Sequence, residues 1–207
     1  MTQTQDSQQK ARAFRDEVLA KIDKTVRDFS DGRLSSEQFQ AIYARYTEQL
    51  TIANMAMMSG ESDGIDVARG DGTQTIALRS TLQGKALGLI IYHNRSGVVV
   101  EMLGNPTVPI QTVGALLNDF SGRMELGETI EPLIKKLEDK KWLVLAAGQY
   151  TSLMTQFRHE PSQRQIKEME RLHDDFERAN RASLAGSNPG QSKLAIPFLT
   201  FVERRIK

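Results

Sequence analysis

A β-hairpin near the middle of the chain constrains the fold more than any other feature. Two runs of β-branched and apolar residues, 86–93 (ALGLIIYH) and 97–103 (GVVVEML), flank the short segment Asn94-Arg95-Ser96. Gly97 can adopt the left-handed backbone conformation that closes a tight turn. We therefore predict two antiparallel strands here, and a sheet against which the rest of the domain packs.

Two amphipathic helices and a second strand pair are predicted after the hairpin. Segments 142–147 and 150–157 are apolar runs that turn at Gly148-Gln149. Segment 128–141 fits a helical template better than an alternating one, and helix and strand both stay open for it. The predicted fold class is α+β, an antiparallel β-sheet of about five strands flanked by helices. Apolar residues at helical spacing mark the two helices: Ile110, Val113, Leu117, Phe120 and Met124 in one, and Ile166, Met169, Leu172, Phe176 and Ala179 in the other, which starts at Pro161 and ends near Gly186.

The chain before the sheet predicts a helical hairpin. Phe14, Val18 and Ile22 recur at helical spacing, the segment 30–33 (SDGR) ends this helix, and Ser35 with Gln38 has capping-box spacing. The predicted organisation is a flexible tail at 1–10, the helical hairpin at 11–58, a linker or mobile loop at 59–74, the α+β domain at 75–186 with an extra edge strand at 75–81, and a linker with an apolar and basic tail at 187–207. Within that tail, 194–202 is predicted as a docked strand, with an exposed peptide that adds to a partner's sheet as the alternative.

Composition excludes several classes of protein. The formal net charge is +1, so the chain lacks the basic excess of a non-specific nucleic-acid binder. It has no cysteine, which removes disulfides, thiol catalysis and thiolate metal sites. No apolar run approaches the ~20 residues that span a bilayer. We expect a cytoplasmic protein with no nucleic-acid partner and no membrane span.

No catalytic or metal-binding motif is present. The chain lacks a phosphate-binding Gly-Lys-Ser/Thr loop, a dinucleotide fingerprint and a His-Glu-x-x-His helix. His93, His159 and His173 are far apart in sequence, and Asp63, Asp66 and Asp71 lack EF-hand spacing. We predict no catalytic residue, cofactor or metal. The charged residues of the last helix, including Glu177, are predicted to form a solvated face with helical ion pairs.

The segment 87–161 resembles the Roadblock/dynein light-chain family. The resemblance is carried by 87–94 (LGLIIYHN), 96–98 (SGV), 104–107 (GNPT), 142–147 (WLVLAA) and 150–154 (YTSLM). It implies the order helix, strand, strand, helix, three strands, helix, in a module without enzymatic activity. Members of this family form homodimers or heterodimers by sheet extension and helix packing. Bacterial members regulate small Ras-like GTPases, and eukaryotic members are adaptors for motors or signalling complexes.

The leading functional hypothesis is therefore a dimeric, Roadblock-like scaffold or regulator of a small Ras-like GTPase. The first alternative is a small-ligand sensor that resembles PAS or profilin-like modules, with the helical hairpin as signal transmitter. A helical 128–141 would favour this sensor, because a helix across the sheet can close a pocket. An enzyme of unrecognised type is the second alternative. The predicted protein-interaction residues, each of which could equally be core, are Ile110, Val113, Leu117, Phe120, Trp142 and Val144.

Overall fold

The computed structural model describes residues 2–59, 68, 72–108, 110–125, 130–186 and 194–198. Within these, the chain divides into two compact units, Met1–Gln83 and Gly84–Lys207. The first unit is helical and the second is built on a β-sheet. The predicted α+β class, with a helical hairpin ahead of an antiparallel sheet, is confirmed.

The first unit contains α1 (Thr2–Ser30), α2 (Ser36–Ser59) and α3 (Gly72–Thr81). The predicted break between α1 and α2 is confirmed, and Gly32 there has a φ of +67°. The capping box is also confirmed, since the Gln38 backbone N–H donates to Ser35 Oγ and the Ser35 N–H donates to Gln38 Oε1. The core of this unit joins α1 to α2 through Ala11, Phe14, Val18, Ala53 and Ala56.

Two predictions for this unit are wrong. The expected flexible tail at 1–10 is helical from Thr2 onward and forms the start of α1, because glutamine and lysine are good helix formers even without an apolar stripe. The expected edge strand at 75–81 is α3, whose Arg79 carbonyl accepts a hydrogen bond from Gln38 Nε2 on α2. This contact between helices overrides the weak alternation of the segment. The predicted linker at 59–74 lies mostly outside the described residues, as do Asp63, Asp66 and Asp71.

The second unit is a five-stranded antiparallel sheet with strand order β2-β1-β5-β4-β3. The central hairpin and the later strand pair are confirmed, although β2 begins at Val99 because the turn extends to Val98, whose carbonyl accepts from the His93 N–H. Segment 128–141 contributes a strand, so its helical reading does not hold where the structure describes it. The strands are β1 (Ala86–His93), β2 (Val99–Gly104), β3 (Leu133–Lys136), β4 (Trp142–Ala147) and β5 (Thr151–Phe157).

One helix covers each face of this sheet. The helix α4 (Ile110–Glu125) packs on one face through Val113 and Phe120, and α5 (Gln163–Ala179) packs on the other through Ile166, Met169 and Phe176. Alternation along the strands divides their side chains between the helices. Ile90, Leu143, Leu145 and Met154 lie in the α4 cluster, and Leu89, Ile91, Val144, Leu153 and Phe157 lie in the α5 cluster.

Residues 194–198 pack against α5 within the second unit. This helix ends at Ala179 rather than near Gly186, and Asn180 separates it from the single turn α6 (Arg181–Leu184). The Asn180 side chain donates to the Phe176 and Ala195 carbonyls and accepts from the Ala195 N–H. Phe198 is fully buried, with its ring 6.2 Å from that of Phe176. Residues 194–198 are therefore docked as predicted, but without strand structure; 199–202 lie outside the described residues.

Candidate functional site

The predicted interaction residues lie mostly in the interior of the second unit. Val113, Phe120 and Val144 are buried, while Leu117 and Trp142 are half-buried. The structure does not bring them together, because Val113, Leu117 and Phe120 belong to the α4 cluster whereas Trp142 and Val144 belong to the α5 cluster. Ile110 is the first residue of α4, and its side chain is outside the description. Their burial is accounted for by packing within one chain.

The strand β4 cannot extend the sheet, because it pairs with β5 on one side and with β3 on the other. The two edges are β2 and β3. A sheet edge presents backbone N–H and C=O groups that can pair with another chain. Any surface for sheet extension on this unit is therefore at β2 or β3. The predicted residues Trp142 and Val144 are on β4, one strand inward from the β3 edge.

At the β2 edge, the side chain of Glu101 covers one outward-pointing backbone N–H. The Asn105 N–H donates to the Leu87 carbonyl, so Leu87 and Asn105 are a hydrogen-bonded pair of the β1–β2 ladder. Such pairs alternate with pairs whose backbone groups point outward. The Ile90↔Met102 pair, three positions further along, is of the second kind, so the Met102 N–H points away from β1. The Glu101 carboxylate accepts this N–H at 3.0 Å. A charged group bound to an outward donor opposes pairing with a further strand.

The β3 edge has an outward donor without such a cover. The Leu137 N–H donates to the Lys141 carbonyl, so Leu137 and Lys141 are a hydrogen-bonded pair. Such pairs alternate along the ladder, and the Ile134↔Val144 pair, three positions further, therefore has backbone groups that point away from each other's strand. Among the described residues, the Ile134 N–H has no acceptor. The Ile134 side chain is 36% exposed, and Lys136 Nζ lies 5.2 Å from the centre of the Trp142 ring. This short edge thus combines an apolar side chain with a free backbone donor.

A buried carboxylate on α5 holds the turn between β4 and β5. Glu177 is 8% exposed, and its Oε1 accepts from the Tyr150 N–H, the Thr151 N–H and the Thr151 hydroxyl at 2.7–2.8 Å. Its Oε2 accepts from the Gln149 N–H at 2.8 Å. Four donors of one turn therefore converge on a single side chain, which compensates the cost of burying its charge.

The solvated face predicted for α5 is wrong for Glu177. A charged residue on a helix is usually solvent-exposed, but Glu177 is buried. Its position was the available signal: Glu177 is four residues after His173 and next to Phe176, on the stripe that faces the sheet. The ion pairs predicted for the same helix are confirmed between Arg171 and Asp175 and between Arg178 and Asp174.

His173 completes this cluster. Its Nε2 lies 2.8 Å from Thr151 Oγ1. Because the Thr151 hydroxyl donates to Glu177, the histidine must donate, so we assign the neutral Nε2–H tautomer. Burial lowers the pKa of His173 below its ordinary value of 6.5, and outweighs the nearby carboxylates of Glu177 and Asp174, which raise it.

This lowered pKa predicts a pH dependence of stability. His173 takes up a proton more readily in the unfolded chain than in the folded one. The contribution of the neutral, buried His173 to the free energy of unfolding is therefore complete above pH 6.5, and it is lost as the pH falls from there through the lowered pKa. Between about pH 7 and pH 5.5, we expect the free energy of unfolding to fall further in the wild type than in His173→Gln, which retains an N–H donor; the ordinary value of 6.5 in the unfolded chain limits this difference to about 1 kcal/mol. Urea unfolding at both pH values measures this. His159→Gln, at a half-buried histidine outside this cluster, is the control. If the free energy of unfolding depends on pH identically in His173→Gln and in the wild type, the assignment is contradicted.

A second hydrogen-bond network joins the β1–β2 turn to the β4–β5 turn through Asn94. The Asn94 N–H donates to the Tyr150 carbonyl, Asn94 Nδ2 donates to the Gly148 carbonyl, and Asn94 Oδ1 accepts from the Ser152 hydroxyl. His93 is also buried, with Nδ1 2.8 Å from Ser96 Oγ and Nε2 3.0 Å from the Leu184 carbonyl. Both ring nitrogens are thus engaged in holding the turn and α6.

A cavity of about 370 Å³ lies between the β4–β5 turn and α5. Gly148, Tyr150, His173, Asp174, Glu177 and Arg181 contribute to its wall. The Glu177 oxygens point to the backbone donors of the turn and so are already occupied.

No group of three or more His, Asp or Glu side chains arranged to hold a metal is found in the described part of the chain. The helix across the sheet that would favour a ligand sensor is replaced by β3.

No helix in the described ranges has the length and apolar character needed to cross a membrane. Neither a protein-family model, nor a curated protein, nor a solved structure matches the chain.

Proposed function

We propose that this chain is a non-enzymatic, Roadblock-like protein-interaction module that forms a homodimer at the β3 edge and acts as a scaffold or regulator of a small Ras-like GTPase. The order of elements in the second unit supports it: β1, β2, α4, β3 to β5 and α5 follow the order strand, strand, helix, three strands, helix that the resemblance implies, whereas the preceding helix, α3, belongs to the first unit. The dense backbone and side-chain bonding around His173 and Glu177 also favours a structural role for these residues over a catalytic one.

The single observation that carries the proposal is the difference between the two sheet edges. The outward N–H of Met102 on β2 is bound by Glu101, whereas the outward N–H of Ile134 on β3 is free among the described residues. Strand addition forms main-chain hydrogen bonds between such groups. The β3 edge is therefore the better place for a second copy to extend the sheet.

The sequence of β3 allows a symmetric pairing. Centring two antiparallel copies on Ile134 would place the two isoleucines opposite each other and each Lys135 opposite the Leu133 of the second copy. Lysines would then not face lysines, which avoids the destabilisation of like charges across a strand pair. Leu133 packs in the same cluster as Leu117 of α4, so α4 would flank the interface.

Proline substitutions on the two edges test the site of dimerisation. Ile134→Pro removes the outward N–H while leaving the hydrogen bonds of β3 to β4, which are made by neighbouring residues. We expect it to weaken the dimer by about tenfold or more, since it removes main-chain bonds and apolar contact in both copies. Sedimentation equilibrium measures the dissociation constant.

Met102→Pro is the matched control, because it removes an outward N–H from the opposite edge. We expect this variant to dimerise like the wild type. If Met102→Pro dissociates the dimer and Ile134→Pro does not, the interface lies at β2 and the proposed edge is wrong.

The GTPase partner is tested separately. The chain is immobilised and purified Ras-like GTPases from the same organism, loaded with GDP or with a non-hydrolysable GTP analogue, are passed over it. We expect one GTPase to be retained in one nucleotide state. Retention in neither state would contradict the regulatory part of the proposal and leave the dimeric scaffold.

A further inference from the structure

A second cavity, of about 290 Å³, lies between the three helices of the first unit. Its inner wall contains the buried residues Thr25, Asp28, Leu34, Ile42 and Gln49 together with the half-buried Tyr46. Lys21, Lys24, Ile76 and Arg79 also line it and are more exposed. The wall is thus apolar and aromatic in part, with a few polar groups, as is typical of small-molecule sites.

One polar group of this wall lacks a partner. Gln49 is 7% exposed, and its Nε2 donates to the Ala68 carbonyl at 2.9 Å. The Gln49 Oε1 atom is buried and receives no hydrogen bond from the described residues. Buried acceptors are almost always satisfied in native proteins, so this atom needs an explanation. Oε1 is closed to solvent, so a hydroxyl or amino donor on a bound molecule would supply the missing bond once the Gln49 side chain turns toward the cavity.

The charges around the cavity favour an anion. Its lining includes three cations, Lys21, Lys24 and Arg79, and one acid, Asp28. Asp28 is already paired with Arg33 at 2.6 Å and with Arg79 at 3.5 Å, and Lys21 is paired with Glu17 at 2.8 Å. Lys24 has no ion-pair partner within the described residues. Among the described residues, an excess of positive charge therefore remains beside the cavity.

We propose that this cavity binds a small organic anion with an apolar or aromatic body and a hydroxyl or amino donor. The anionic group would lie near Lys24, the body against Leu34, Ile42 and Tyr46, and the donor would reach Gln49 Oε1. The cavity is at the small end of ligand sites, so it suits a molecule of about a dozen non-hydrogen atoms. The site is in the helical unit, and it is independent of the dimer edge proposed for β3.

Three probes that differ by one group test this proposal on the full chain. 4-Hydroxyphenylacetate carries the anion, the ring and the donor; tyramine replaces the anion with a cation; phenylacetate lacks the hydroxyl. The chain has four tyrosines, so fluorotyrosine labelling gives four resonances, and Tyr46→Phe identifies the one from the cavity. We expect millimolar 4-hydroxyphenylacetate to shift the Tyr46 resonance, and tyramine to bind about tenfold more weakly. Phenylacetate is expected to bind more weakly than its hydroxylated counterpart.

Two variants locate the contacts. Lys24→Glu is expected to weaken 4-hydroxyphenylacetate binding by about tenfold. Arg12→Glu is the matched control, because Arg12 is an exposed cation of the same helix about 18 Å away that does not line the cavity. Gln49→Leu is expected to remove the preference for the hydroxylated probe. The proposal is overturned if 4-hydroxyphenylacetate leaves the Tyr46 resonance unmoved, if tyramine binds equally well, or if Lys24→Glu binds like Arg12→Glu.

Discussion

Replacing Glu177 with alanine is expected to lower the free energy of unfolding of the sheet unit by roughly 3–5 kcal/mol. The variant leaves the N–H groups of Gln149, Tyr150 and Thr151, and the Thr151 hydroxyl, without their shared acceptor. Each buried donor without a partner carries a desolvation penalty. The chain has one tryptophan, Trp142, which lies in this unit, so urea unfolding followed by its fluorescence measures the loss.

Glu170→Ala is the matched control, because Glu170 is an exposed acid on the same helix. It is expected to change stability by less than about 0.5 kcal/mol. Gly148→Ala tests the same contact from the β4–β5 turn, because a Cβ at this position would lie 2.5 Å from Glu177 Oε1. Gly148→Ala should therefore cost less in the Glu177→Ala background than in the wild type. Equal stability of the Glu177→Ala and Glu170→Ala variants would contradict the structural role of this carboxylate.

The second large effect is expected at Gly88, where the loop after β2 crosses β1. A Cβ on Gly88 would lie 2.6 Å from Pro106 Cδ, 2.7 Å from Pro106 N and 2.8 Å from the Leu103 carbonyl oxygen. Two of these atoms are backbone, so the loop itself must move. We expect Gly88→Ala to destabilise the unit by about 2–3 kcal/mol, which the same fluorescence-detected unfolding measures.

Gly114 provides the opposite case for the same substitution. It lies in α4, and a Cβ there would meet no atom within 4 Å. Gly114→Ala is therefore expected to stabilise the unit by roughly 0.5–1 kcal/mol through its higher helix propensity. If Gly88→Ala were as stable as Gly114→Ala, the close approach of Pro106 to β1 would be wrong.

The sequence predicted the elements whose apolar residues repeat regularly. The runs 86–93 and 142–147 are buried strands, and the stripe of Val113, Leu117 and Phe120 marks a helix on the sheet. Such patterns are readable because burial of one face imposes a period of 2 or 3.6 residues. The order of helices and strands, and the α+β class, follow from these elements.

Elements without such a pattern were not predictable. The strand β3 has four residues, two of them lysines, and its alternation is too short to distinguish from a helix. Its assignment depends on pairing with β4, a long-range contact that sequence spacing does not contain. The start of α1 and the helix α3 were missed because helix propensity and contacts with α2, rather than an apolar stripe, determine them.

The candidate sites were harder to predict than the fold. Burial of Glu177 was obscured by its charge, although its spacing from His173 and Phe176 places it on the inner face of α5. The distinction between the β2 and β3 edges requires knowing which N–H groups point outward. That depends on strand order and register, which a single sequence does not specify.

The mass of the full chain in solution, measured by light scattering over a range of concentrations, tests the central claim most directly. One chain has a mass of 23.2 kDa. The proposed sheet-edge dimer predicts a mass that rises to twice this value with concentration, and that stays nearer to one chain for Ile134→Pro than for Met102→Pro. A mass of 23.2 kDa at every concentration would contradict the dimeric interaction module.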